Sequence, residues 1–162
     1  SHGRSLNLGV SNAKSDFIAI LSGHCIPKNE DWLFRLKGNF QFSDIAGVYG
    51  RQEPLSSSSD FDKRDLWTTF GLDRRTQSKD WFFHNANSMI RRSIWNLFPF
   101  NEHIDGVEDR EWAKRVLESG YKVIYEPAAS VYHHHGIHQG RDSARAKRVA
   151  RVIELIKDGR IN

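Results

Sequence analysis

The chain has 162 residues, a formal charge of +4, one cysteine and a heavy aromatic load of ten Phe, five Trp and four Tyr. That length builds one domain with a real core and is too short for two ordinary ones. The single Cys25 excludes an internal disulfide and fits a reducing compartment. No apolar run reaches the roughly 18 residues of a membrane-spanning helix, and the opening SHGRSLNLGV has no signal-peptide core. The charge suits phosphate-bearing small molecules, while the basic groups lack the interleaved aromatics of a nucleic-acid surface. A cytoplasmic α/β unit over residues 1–162 is the expectation. His2 carries no weight, because a leading Ser-His has the look of a tag remnant.

Taken in order, residues 4–14 place Leu6, Val10 and Ala13 at helical spacing and feed Phe17-Ile18-Ala19-Ile20-Leu21. Five apolar residues in a row read as a strand buried on both faces. Ser22-Gly23-His24-Cys25-Ile26-Pro27 follows as a polar turn, at the strand end where open α/β sheets place ligands. An ordinary strand-to-helix connection is the competing reading. Asn29 can cap a helix with Trp32, Leu33, Leu36 and Phe40 on one face. A short strand is expected over 45–50. Residues 51–79 read as a surface loop with one or two amphipathic turns near 64–70.

His84 to Ile90 reads as a strand of small and polar residues, followed by a short helix through Leu97. The loop 100–106 holds Glu102, His103 and Asp105. The best helix spans 107–119, with Trp112, Ala113, Val116 and Leu117 on one face and Gly120 as its stop. A strand over 121–125 should break at Pro127, with another short strand over 129–132. His133-His134-His135 ends it, and a basic helix covers 141–157, carrying Arg141, Arg145, Lys147, Arg148 and Arg151.

Four groups could carry chemistry. Glu108 and Asp109 stand in the first turn of the 107–119 helix, where acidic side chains are common because the helix dipole favours them. The alternative is a general base or sugar anchor held on a rigid element, and Asp109 is the better candidate of the two. In the run 133–135, alternation on a strand puts His133 and His135 on one face and His134 on the other. No cysteine pair or HExxH helix accompanies them, so the spacing does not read as a structural zinc motif. His24 is their natural distant companion, able to ligate a divalent ion or bind a phosphate. Asn85 and Asn87 are either internally bonded core amides or donors and acceptors for a substrate. The basic tail helix is either a solvated face or a segment that closes over a phosphate.

The ordered set Asn7-Leu8-Gly9, FIAILSGHCIP, Asp31-Trp32-Leu33, Asn85-Ala86-Asn87-Ser88-Met89-Ile90-Arg91, Gly106-Val107-Glu108-Asp109 and Gly120 to Tyr125 resembles the family 2 nucleotide-sugar glycosyltransferases. The resemblance implies a GT-A fold, a three-layer α/β/α sandwich, present in part: roughly 80 residues of base-binding strands would precede Ser1. An incomplete sheet would leave an edge open to self-association. It further implies transfer of a hexose or deoxyhexose from a nucleotide-diphosphate donor to a hydroxyl of a glycan or polysaccharide, with inversion and Asp109 as base. Ser22, Gly23 and His24 would face the diphosphate, and Asn85, Asn87 and Trp81 the acceptor.

One departure matters. The family's metal-holding Asp-x-Asp turn is Ser22-Gly23-His24 here. The resemblance implies a divalent cation, Mn²⁺ or Mg²⁺, with His24, His133 and His135 as the available ligands. The same loss of carboxylates leaves open a weakly held ion, or a catalytically degenerate relative that binds a sugar or a partner. Peripheral contact with the inner face of a membrane is compatible with all of these.

Overall fold

The computed structural model describes residues 1–104, 106–137 and 142–161. Asp105 of the 100–106 loop, His138 just past the 133–135 histidine run and Arg141 of the basic helix lie outside the described residues.

Two strands organise the molecule. β3 (Ile45–Pro54) and β6 (Lys122–His133) run parallel at the middle of a six-stranded sheet. β5 (Asn87–Arg91) pairs antiparallel with β3, and β1 (Phe17–Leu21) pairs antiparallel with β5. The far side of β6 is shared by β2 (Cys25–Pro27) and β4 (Arg75–Gln77).

Strand alternation sends one set of side chains to each face. On one face Ala46, Tyr49, Ile90, Val123 and Tyr125 join Val10, Leu66, Ile94 and Trp112. Those four come from α1 (His2–Asn12), α3 (Asp60–Thr69), α4 (Arg92–Leu97) and α5 (Glu108–Glu118). On the other face Ile45, Val48, Met89 and Ile124 meet Leu36 of α2 (Trp32–Lys37) and Phe40. The result is the expected three-layer α/β/α arrangement. α6 (Ser143–Lys157) packs Ile156 against Ile104 and Val107 beside α5.

The sequence reading is corrected at three places. The FIAIL strand is not buried on both faces: β1 ends the sheet among the described residues, Ala19 is exposed, and Leu21 is 39% exposed. Residues 51–79 are not one loop. β3 continues to Pro54, and α3 starts where the Ser59 hydroxyl accepts from the Asp62 N–H. α3 buries little beyond Leu66, so it carries almost no amphipathic signal. Pro127 does not break the strand either. It sits where the β3/β6 register slips from Gly50 opposite Glu126 to Gln52 opposite Val131, a bulge that needs no donor from proline.

Gly50 permits that irregularity. A Cβ there would lie 2.0 Å from the Ala129 carbonyl oxygen and 2.4 Å from the Asn87 amide. Gly120, with φ of +88°, occupies the left-handed region just past α5, as its place in the sequence predicts.

Candidate functional site

The β1–β2 turn is pinned before it presents anything. The Ser22 N–H donates to the Ala86 carbonyl at 3.1 Å, and the Cys25 N–H donates to the Ser22 carbonyl at 2.9 Å. β2 then pairs with the end of β6, Cys25 opposite His133. The turn therefore delivers His24 to the same edge as the histidine run. The His24 ring lies 4.8 Å from that of His133 and 4.6 Å from that of His135, and the last two are 4.6 Å apart. Three imidazoles from two distant stretches form one cluster. As alternation implies, His134 is exposed beside them.

His133 is only 2% exposed, and neither of its ring nitrogens has a hydrogen-bond partner. Burial, with His135 beside it, pushes its pKa down to about 3. Burial also lowers that of His24, with His135 and His134 adding to the effect. Both rings are neutral at physiological pH. The His135 Nδ1 lies 2.9 Å from the Gly136 carbonyl, which can only accept, so that nitrogen carries a proton. Asp62 on α3 holds this segment by accepting the Gly136 N–H at 2.7 Å.

A cleft of about 470 Å³ runs from the cluster to the first turn of α5. Ser22, His24, His133 and His135 line it together with Glu108, Asp109 and Asn85. The two carboxylates differ in environment. Glu108 is buried, its Oε1 is 2.6 Å from the His2 Nδ1, and its Oε2 accepts the Gly106 N–H at 2.8 Å. Burial works against its charge, yet the His2 hydrogen bond with the backbone donors holds its pKa below the ordinary value. Asp109 accepts only backbone N–H groups, from Asn85 at 3.0 Å and Arg110 at 2.8 Å. Burial and the neighbouring Glu108 charge raise its pKa to about 6. It is the carboxylate with free basicity.

Three residues named from sequence stand elsewhere. Asn87 is fully buried: its Oδ1 accepts from Trp32 Nε1, and its Nδ2 donates to the Arg51 and Ala129 carbonyls. Its amide ties β5 to β3 and β6 and is already satisfied. Trp81 packs with the cluster under α6, away from the cleft lining. Gly23 is exposed on the turn, and its neighbours Ser22 and His24 line the cleft instead.

The structure also brings in His2 and His84, which sequence reasoning missed, and two arginines that it named in the basic tail helix. His2 reaches the cleft because Gly3 lets α1 touch residue 101; a Cβ at Gly3 would meet the Asn101 carbonyl oxygen at 2.4 Å. His84 lines the cleft with its Nδ1 accepting the Ala86 N–H, and burial lowers its pKa to about 4. Arg145 and Arg148 bring positive charge from α6 to the same rim. The basic tail helix had pointed to these arginines, whereas nothing in the sequence marked His2 or His84.

Comparison with known proteins follows the same lines. The mixed sheet with helices on both faces is the architecture of a GT-A glycosyltransferase fold. Residues 1–98 match the Glycosyl transferase family 2 model, and the chain belongs to that family. It is 30% identical over 146 residues to the O-antigen chain rhamnosyltransferase WbaN of Salmonella anatum, covering 83% of this chain and 46% of that protein. It is 29% identical over 143 residues to the pre-mycofactocin glycosyltransferase of Mycobacterium tuberculosis, covering 80% of this chain and 29% of that one. The chain thus spans less than half the length of these curated relatives. The fold matches a Pyrobaculum calidifontis mannosyltransferase, solved with GDP-Man and Mn²⁺, at a TM-score of 0.66 and 18% identity over 94% of this chain and 43% of that one. No helix among the described residues is long and apolar enough to cross a membrane.

Proposed function

We propose that this chain forms the catalytic edge of a glycosyltransferase that moves a hexose or deoxyhexose from a nucleotide-diphosphate donor to a glycan hydroxyl. One observation carries the reading: Asp109, a carboxylate with its pKa raised to about 6, shares a single cleft with the histidine cluster. Asp109 takes the proton of the acceptor hydroxyl as its oxygen attacks the anomeric carbon. The bond from that carbon to the diphosphate oxygen breaks, and the configuration inverts. Arg145 and Arg148 meet the charge gathering on the diphosphate. Asn85, in the same lining, would face the sugar hydroxyls.

His24 and His133, with His135 beside them, would hold a divalent cation, which would supply further charge neutralisation to the leaving diphosphate. The donor atoms that converge here, from His24, Cys25 and His133, include no carboxylate, so the set fits a transition metal and not Mg²⁺. The replacement of Asp-x-Asp by Ser22-Gly23-His24 favours a second reading, a family member that binds a sugar nucleotide without turnover.

The full chain is assayed for nucleoside diphosphate release from a panel of nucleotide sugars that includes GDP-mannose. Turnover that vanishes in Asp109→Asn supports transfer. Saturable binding with no release from any donor supports the second reading, and neither binding nor release overturns both.

A further inference from the structure

We propose that His24, Cys25 and His133 form a site for a nitrogen- and sulfur-liganding divalent ion of the Zn²⁺ class, with its remaining position open to the cleft. Their donor atoms all lie within 4.8 Å of one another. The ligands of one tetrahedral ion stand about 3–4 Å apart at ordinary bond lengths, so modest side-chain rotations close the set. Two of the three are fixed by the sheet. Cys25 faces His133 across the β2/β6 pair, and directly opposed antiparallel residues project to the same side.

The second observation is independent of that spacing. His133 is buried with both ring nitrogens unpartnered, a costly arrangement for a polar ring unless a ligand takes one of them. His135 stands beside this set of three ligands, its Nδ1–H on a backbone carbonyl and its ring packed against both His24 and His133. Imidazole and thiolate select Zn²⁺, Co²⁺ or Ni²⁺, whereas Mg²⁺ demands oxygen. A donor set without a carboxylate therefore suits a softer ion than an Asp-x-Asp turn would hold.

What the ion does for a diphosphate rests on the glycosyltransfer reading; whether it binds does not. Metal-free full chain is titrated with Co²⁺ without nucleotide, and the absorption spectrum recorded. About one equivalent should bind, with a thiolate-to-cobalt charge-transfer band and four-coordinate visible bands. Zn²⁺ should displace it, and Mg²⁺ in about a hundredfold excess should not. Cys25→Ser should remove the charge-transfer band. His24→Asn, on an exposed turn, should weaken binding at least ~tenfold with an unchanged circular dichroism spectrum. The proposal is overturned by a wild-type spectrum lacking the thiolate band, by binding unchanged in both variants, or by displacement of Co²⁺ by equimolar Mg²⁺. A chain that binds Co²⁺ in this way but releases no nucleotide loses only the glycosyltransfer reading.

Discussion

The Asn85 backbone N–H donates to the Asp109 carboxylate at 3.0 Å, joining the first turn of α5 to the segment that enters β5. This bond aims Asp109 at the cleft and leaves its basicity to be set by burial and by Glu108. Asp109→Asn keeps the shape and one acceptor for Asn85. Turnover should fall by about 10²–10⁴, the usual contribution of a general base, with a melting temperature close to wild type. A loss below tenfold would remove Asp109 from the chemistry.

The pH profile follows from the same environment. With its pKa near 6, Asp109 loses the basic form as pH falls through that value, so kcat/KM should drop below about pH 6 and level off above it. Its effect on stability has the opposite sign. The folded state favours protonated Asp109, so this group adds stability as pH falls from about 6 toward the ordinary 3.8. Glu108→Gln removes a like charge and should shift the acid limb of kcat/KM to lower pH. An unshifted limb would assign it to another group.

Glu108 itself should matter to stability. Its buried carboxylate is held by His2 and the Gly106 N–H, so His2→Ala should cost about 1–3 kcal/mol in urea unfolding at neutral pH. Because its folded pKa lies below the ordinary 4.5, this stabilisation is present above 4.5 and is lost as pH falls through the lower, folded value. His2→Ala with wild-type stability would make the contact incidental.

Asn87 tests packing against substrate binding. Asn87→Ala leaves the Trp32 Nε1 and two backbone carbonyls without their partner, so it should cost ~3 kcal/mol or more. Donor and acceptor KM should stay near wild type at a temperature where the variant is folded. A raised acceptor KM with unchanged stability would return Asn87 to the substrate.

How much of this was readable beforehand differs by element. α5 was plain, because Trp112, Ala113, Val116 and Leu117 repeat at helical spacing and Gly120 stops them. Alternation alone separated His134 from His133 and His135, and the strand-end position of His24 pointed to their meeting. β1 misled because five apolar residues look the same at a sheet's centre and at its border. α3 was legible only as one or two turns near 64–70, because one buried leucine and a serine cap leave no periodic stripe over its full length. His2 could not be read at all: its partner Glu108 is 106 residues away, and only the close approach at Gly3 brings them together.

Arg148 supplies the last test, since it lies on the exposed side of α6 yet borders the same cleft as the histidines. A cation there attracts a diphosphate without holding up the fold. Arg148→Ala should raise donor KM by ~tenfold, the loss of one charge-assisted contact, and leave the unfolding midpoint unchanged. Because the contact is solvent-exposed, the wild-type KM should climb with salt and the variant's should climb less. An equal fall in kcat with no change in KM would instead place Arg148 at the transition state, where the charge on the leaving diphosphate is still forming.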